Sequence, residues 1–249
     1  MKPLILAVAA VTVAIGATPC AAYTLDPISR VFTPSGSEST QFFEIGNPGT
    51  ERVALVVSFA TLERDLDYVE TNHDADDEFL VYPTQMIVAA GGKQTVRVTW
   101  LGTPRPAQEL AFRIKVQQVP IEVLDRKMTA LATGKVRVLV TYNGSIFIRP
   151  AHAAPQVRPE SAVRTQGQDG RDAIAIVLVN AGGAVGMVRS CSLRLTAAGE
   201  PPIELSERAL AGLANTRVLA GGRRRYLVAW PAAPGSAPLK VTGQCGVTP

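Results

Sequence analysis

Apolar and polar residues alternate along most of the chain after residue 23, and this period of two restricts the fold more than any other feature. Clear examples are Gln94–Trp100 and Ala111–Val119, in which every second residue is large and apolar over most of the run. Turn-forming sequences such as Gly46-Asn47-Pro48-Gly49 separate the alternating runs. No stretch shows the 3.6-residue period of an amphipathic helix. The pattern therefore predicts an all-β fold built from immunoglobulin-like sandwiches.

The alternating runs form two groups, which predicts two domains. In the first group the clearest predicted strands are Gln41–Ile45, Arg52–Phe59, Gln94–Trp100, Ala111–Val119 and Lys135–Tyr142. In the second group they are Ala173–Asn180, Met187–Thr196, Arg217–Leu219, Arg225–Trp230 and Leu239–Gly243. The segment 151–170 between them is rich in Ala, Pro, Gln and charge, and we interpret it as a hinge followed by a loop or a weak first strand. A chain of 249 residues can form two cores, so we predict domains at 23–150 and 151–249.

The first 22 residues have the composition of an export signal. Lys2 supplies positive charge, Leu4–Gly16 is apolar except for Thr12, and small residues occupy the positions before Tyr23. This arrangement predicts a secretory signal peptide over residues 1–22, cleaved before Tyr23. Cys20 leaves lipid attachment open as an alternative, although Pro19 directly before it fits a lipidation site poorly.

The chemistry-bearing residues argue against an enzyme. Three Cys and two His leave little material for a metal site or a histidine-based triad, and the sequence has no phosphate-binding glycine loop, nucleophile elbow or zinc spacing. We predict no catalytic residue, no metal and no cofactor. A formal charge of +4, from 25 basic and 21 acidic residues, is too small to indicate a nucleic-acid partner without a basic patch beside aromatic side chains.

Two cysteines remain once the predicted signal peptide is removed. Cys191 and Cys245 both fall in the second predicted domain. An even pair in an oxidising compartment predicts one disulfide, and two unpaired buried thiols are the alternative.

The last predicted strand of the first domain is unusually apolar. Its sequence from Lys135 to Tyr142 places Val136, Val138 and Val140 on one face. A terminal strand is often an edge, and an exposed apolar edge is usually blunted by charge or proline. The strand therefore either faces an ordinary core or presents an apolar edge to a partner.

The order of several motifs resembles the periplasmic chaperones of the chaperone–usher pilus pathway, and the resemblance covers most of the chain. The motifs are Pro27 with Arg30-Val31-Phe32, Phe43–Gly49, Phe79–Pro83, Ala90–Val98, Glu109–Arg113 with Val119-Pro120, and Ile148-Arg149-Pro150. The sequences Tyr82-Pro83 and Gly91-Gly92-Lys93 look most similar to the archaic branch of that family.

The resemblance implies two immunoglobulin-like domains arranged as an L, located in the periplasm. The partners it implies are pilin-type subunits that lack their last strand and an outer-membrane usher. Counted back from Arg149-Pro150, the residues that would enter the subunit groove are Val136, Val138 and Val140. The lent strand would complete the subunit by β-augmentation. The same strand would allow two free copies to cap each other.

The family also anchors the subunit's C-terminal carboxylate with basic residues, one on the first strand and one four residues before the Arg-Pro pair. Here the second position is Ser145, and Arg30 lies near the first position but is not certain to be in register. Alternation places Arg113 and Lys115 on one face of their strand. The predicted anchor residues, in order of preference, are Lys115, Arg97, Arg113 and Arg30, and a solvated basic face is the alternative for each.

Two further expectations complete the sequence analysis. Glu109 and Arg149 match an ion pair that joins the two domains in the family. The alternative function is a secreted two-domain β-sandwich adhesin or carbohydrate-binding module, in which exposed aromatic side chains would carry recognition. Only Trp100 and Trp230 supply indole rings for that role.

Overall fold

The computed structural model describes residues 23–120, 138–167, 169–230 and 238–249. The predicted signal peptide, residues 1–22, and Val136 of the predicted apolar edge lie outside the described residues. Within these ranges nearly all regular structure is β-strand, and the α-helix α1 spans Glu207–Leu210. None of the helices in the described ranges is long and apolar enough to cross a membrane.

The first eleven strands form what we call the first sandwich. They are β1 (Thr24–Asp26), β2 (Ser29–Phe32), β3 (Thr40–Gly46), β4 (Val53–Thr61), β5 (Glu63–Arg64), β6 (Glu70–Thr71), β7 (Phe79–Tyr82), β8 (Gln85–Val88), β9 (Lys93–Trp100), β10 (Leu110–Val119) and β11 (Thr141–Ile148). One sheet has the order β1-β3-β9-β7 and the other the order β2-β11-β10-β4-β8. Strands β5 and β6 pair only with each other, and we call residues 63–71 the hairpin arm.

The remaining strands form the second sandwich. They are β12 (Val157–Gln166), β13 (Asp172–Asn180), β14 (Gly186–Thr196), β15 (Ile203–Leu205), β16 (Thr216–Val218), β17 (Arg223–Ala229) and β18 (Lys240–Thr248). Three strands form the sheet β12-β13-β17, and β14 pairs with β15, β16 and β18 in the other sheet.

Each sandwich has its own apolar core, as the alternation predicts. In the first, Phe112 and Ile114 of β10 point inward against residues such as Val96 of the opposite sheet. That core ends at Ile148, and the second core begins at Val157. The domain boundary at residues 150 and 151 stays a prediction that falls between these two limits.

The predicted disulfide is present and lies in the second sandwich. Cys191 of β14 and Cys245 of β18 are directly opposite each other in the ladder and are bonded. Because the two cysteines are 54 residues apart in sequence, the chain-entropy model gives the bond about 4 kcal/mol of stabilisation through the unfolded state.

One sequence prediction needs correction, and one open alternative is decided. Of the strand predicted over Lys135–Tyr142, residues 138–140 are not in a strand, whereas Thr141 and Tyr142 begin β11, which runs to Ile148. The β10–β11 ladder begins at Thr141, and before it one further hydrogen bond joins Gln118 N to Val140 O at 3.0 Å. The segment interpreted as a loop or a weak first strand contains a strand, the ten-residue β12, whose register shifts beside Pro159, where proline weakens the sequence signal.

Candidate functional site

The two halves of β11 have different neighbours because the first strand of the chain changes sheets. Strand β1 pairs with β3, whereas β2 pairs in parallel with residues Ser145–Ile148 of β11. The change occurs between Asp26 and Ser29. Among the described residues, Thr141–Gly144 therefore have a strand neighbour only on the β10 side. This half of β11 is an open edge.

The backbone groups on the open edge can be assigned from the printed hydrogen bonds. Ser145 N donates to Ile28 O at 2.9 Å, and Val140 O accepts from Gln118 N at 3.0 Å on the opposite side of the strand. Because successive residues of a strand turn their backbone groups to opposite sides, Thr141 and Asn143 turn theirs the same way as Ser145. The open edge thus offers a donor and an acceptor at each of these two residues.

The side chains of the same segment continue the core-facing row. Val140 and Tyr142 pack against the first core, in phase with the buried Ile146 and Ile148. Val138 falls in the same phase but is 71% exposed, because it lies beyond the end of that core. An apolar side chain in strand phase is therefore presented to solvent beside the open edge.

Tyr23, the first described residue, fixes the start of this segment. Its hydroxyl lies within hydrogen-bonding distance of Val116 O and, at 3.0 Å, of Val140 O. Burial raises the pKa of Tyr23 to about 12, so the hydroxyl keeps its proton and can donate at any physiological pH. The Tyr23 hydroxyl therefore links Val116 of β10 to Val140, the residue directly before β11.

Arg113 is the centre of a charged cluster on the outer face of the β11–β10 sheet. Its Nε and Nη2 donate to Glu70 Oε1 and Oε2 at 2.8 and 2.6 Å, and its Nη1 donates to Ser145 Oγ at 2.7 Å. Arg64 Nη2 also donates to Glu70 Oε2, the oxygen that Arg113 Nη2 contacts. The hydrogen bond from Arg113, helped by the charges of both arginines, lowers the pKa of Glu70 to about 2.

Ser145 occupies one of the two positions at which the resemblance implies a basic residue, and Arg30 lies near the other. Ser29 lies directly opposite Ser145 in the β2–β11 ladder. Arg30, one residue later, is in phase with the core residue Phe32, and its Nη1 donates to Gln41 Oε1 at 3.3 Å. Arg30 therefore points to the inner side of the sheet, away from Arg113. The guanidinium of Arg113 lies instead beside Ser145, supplied from the neighbouring strand.

The structure places the other two predicted anchor residues on different surfaces. Lys115 follows Arg113 on the same face of β10, is half-buried, and lies opposite Asn143. Arg97 is exposed on the outer face of the other sheet, between Phe42 and Tyr82. Arg113 and Lys115 thus share a surface with Ser145, whereas Arg97 is separated from them by the thickness of the sandwich.

Glu109 and Arg149 are in contact at the junction of the two sandwiches. Arg149 Nε donates to Glu109 Oε2, and the other oxygen of this buried carboxylate accepts from Val185 N of the second sandwich at 3.0 Å. Glu109 N also donates to Gly183 O at 2.8 Å. One buried side chain therefore joins the end of β11 to the second sandwich.

The hairpin arm is the part of the site that sequence reasoning missed. It carries Glu70 and Arg64, and it also reaches the second sandwich, where Arg225 N donates to Leu66 O at 2.7 Å. The ring of Tyr68 has Arg64 at 4.2 Å and Arg224 of the second sandwich at 3.5 Å. Paired strands of two residues are too short to show alternation, so the sequence carried no signal of the arm's contacts.

Comparison with known families places the chain in one of them. The profile of the family described as pili and flagellar-assembly chaperone, PapD N-terminal domain, matches residues 28–154, slightly more than half of the chain. The protein belongs to this family of pilus-assembly chaperones. No curated protein sequence matches the chain significantly.

Solved structures of fimbrial chaperones have the same fold at low sequence identity. The chain resembles a structure of the CsuC–CsuE chaperone–tip adhesion subunit pre-assembly complex from archaic chaperone–usher Csu pili of Acinetobacter baumannii, with TM-score 0.55 and 15% identity, covering 92% of this chain and 97% of that chain. The Salmonella enterica SafA pilin in complex with the SafB chaperone matches with TM-score 0.51 and 14% identity, covering 93% of this chain and 95% of that chain. The E. coli chaperone DraB matches with TM-score 0.52 and 14% identity, covering 90% of this chain and 95% of that chain. These likenesses support the all-β fold with two immunoglobulin-like sandwiches.

Proposed function

We propose that this protein is a periplasmic chaperone that binds, folds and caps pilin-type subunits by lending them a strand, and then delivers them to an outer-membrane usher. The observation that carries the proposal is the open edge of β11 with the exposed Val138 beside it. A subunit that lacks its last strand exposes unpaired backbone groups along an apolar groove. The open edge of β11 can pair with the unpaired backbone groups, and Val138 can fill part of the apolar groove.

Backbone pairing would supply adhesion along the edge. Thr141 and Asn143 offer hydrogen-bonding groups at alternate positions, which is the spacing that an added strand requires. Because β2 covers only Ser145–Ile148, a subunit strand can pair with β11 without displacing any described strand of the chaperone.

Apolar side chains would supply the fit to the groove. Val138 and Val140 are described, and Val136 precedes them in the alternating sequence but lies outside the described residues. Each fully buried Val contributes about 1.5–3 kcal/mol before ordering costs. Binding of that strength would prevent aggregation of the subunit and would still permit a better-fitting strand from the next subunit to replace it.

The cluster around Arg113 is the proposed anchor for the subunit's C-terminal carboxylate, with Lys115 beside it. A guanidinium binds a carboxylate through charge-assisted hydrogen bonds. Lys115 lies on the same face of β10 as Arg113 and adds a second positive charge there. The roles of Val136, Val138, Val140, Arg113 and Lys115 are all part of the proposal.

Co-expression in the periplasm tests the donor edge. The chaperone is purified with an affinity tag, and the co-purifying pilin-type subunit is identified by mass spectrometry. Val138→Asp is expected to abolish the heterodimer, because burial of a charge in an apolar groove is prohibitive. The matched control is Ile87→Asp, which alters a similarly exposed apolar residue on β8, at the other edge of the same sheet. An intact heterodimer with Val138→Asp would contradict the donor edge.

A further inference from the structure

We propose that Glu70 is a positioning residue for the carboxylate anchor: it holds the guanidinium of Arg113 in the orientation in which the subunit's C-terminal carboxylate is bound. The inference rests on the proposed function, since it concerns the anchor of the same site. Its basis is the geometry of the Arg64–Glu70–Arg113–Ser145 cluster.

The hydrogen bonds from the described residues fix the plane of the guanidinium without using all of its donors. Glu70 takes one edge through Nε and Nη2, and Ser145 takes one proton of Nη1. A guanidinium has five N–H donors, so two have no acceptor within the part of the chain that the structure describes. The side chain of Arg113 is only 14% exposed, which restricts the direction from which a ligand can approach.

The charges of the cluster favour one additional anion. Arg64 and Arg113 are positive and Glu70 between them is negative, which leaves a net charge of +1. A carboxylate bound to Arg113 extends the alternating row and neutralises this charge. Without Glu70 the two arginines would repel each other, and the Arg113 side chain would lose the partner that fixes its plane.

The position of Glu70 is itself fixed by the contacts of the hairpin arm. Arg64 Nη1 donates to Tyr68 O at 2.8 Å within the hairpin arm, and the arm is bound to the second sandwich through Arg225. Since the pKa of Glu70 lies near 2, the carboxylate stays ionised at every pH at which the chaperone would meet a subunit. Glu70 therefore acts as a permanent support for Arg113.

The test compares the subunit identified by co-purification in two forms, one with its natural C-terminal carboxylate and one with a C-terminal amide. The measured quantity is the ratio of the two dissociation constants, which isolates the contribution of the anchor. The wild-type chaperone should prefer the carboxylate by about tenfold or more, and Arg113→Ala should reduce the ratio to about one. Glu70→Gln should reduce the ratio at least about threefold, with the far-UV spectrum unchanged.

Glu63→Gln is the matched control. It removes the same charge from the same hairpin arm, but Glu63 is exposed and makes no ion pair among the described residues. Its ratio should equal that of the wild type. Arg64→Gln provides a second variant in case Glu70→Gln does not fold, because it removes the other arginine that contacts Glu70 without touching Arg113, and a smaller reduction is expected.

The outcomes separate this inference from the proposed function. A ratio that is unchanged in both Glu70→Gln and Arg64→Gln, or one that rises because Glu70 competes with the ligand, would overturn the role of Glu70. A ratio unaffected by Arg113→Ala would overturn the anchor and with it the role of Glu70. Failure of the wild-type chaperone to form any heterodimer would instead contradict the proposed function itself.

Discussion

The two halves of β11 have different surroundings, although one alternating sequence runs through both. Residues 145–148 lie between β10 and β2, and their side chains are buried. Among the strands that the structure describes, residues 141–144 have β10 as their only neighbour, and Val138, three residues earlier, is exposed. The difference shows that the same period of two can build a core where the sheet continues and present a binding edge where it stops. We expect stability to depend on the closed half and subunit binding on the open half.

The largest predicted difference between the halves is in stability. Ile146 is fully buried, so Ile146→Ala should lower the free energy of unfolding by about 2–5 kcal/mol. Val138→Ala should change it by less than about 0.5 kcal/mol, because the side chain is exposed. Denaturant unfolding followed by Trp100 fluorescence in a Trp230→Phe background measures the first sandwich. Comparable losses in the two variants would show that Val138 belongs to the core.

The sequence predicted the closed half of the site better than the open half. The family resemblance implied the Glu109–Arg149 ion pair, and the cysteine count predicted the disulfide. The position of Glu70 beside Arg113 depends on a short hairpin folding back across 43 residues of sequence, which no local pattern encodes. The register that puts Ser29 opposite Ser145 depends on where the first strand changes sheets, and alternation alone does not set that point.

A smaller effect is predicted at the junction that follows the closed half. Glu109→Gln removes the charge that Arg149 contacts and leaves one oxygen to serve both Arg149 and Val185 N. The expected loss is about 2 kcal/mol in the free energy of unfolding, since a buried charged hydrogen bond is replaced by a neutral one. Glu63→Gln, an exposed residue of the same sandwich, is the control and should have no effect. An equal result for the two variants would mean that the buried contact does not stabilise the junction.

The smallest predicted effect on stability comes from the backbone of the open edge. Asn143→Pro removes an N–H that faces away from β10, and proline is tolerated at the edge of a sheet, so the expected cost is about 1 kcal/mol or less. Subunit binding should nevertheless weaken about tenfold, because one backbone hydrogen bond to the added strand is lost. Tyr142→Pro is the matched control, since its N–H faces β10 and its loss should reduce stability more than Asn143→Pro does. Unfolding curves and subunit titrations of both variants give the comparison. If Asn143→Pro leaves binding unchanged, the subunit does not pair with β11 along this edge, and the difference between the two halves would concern folding alone.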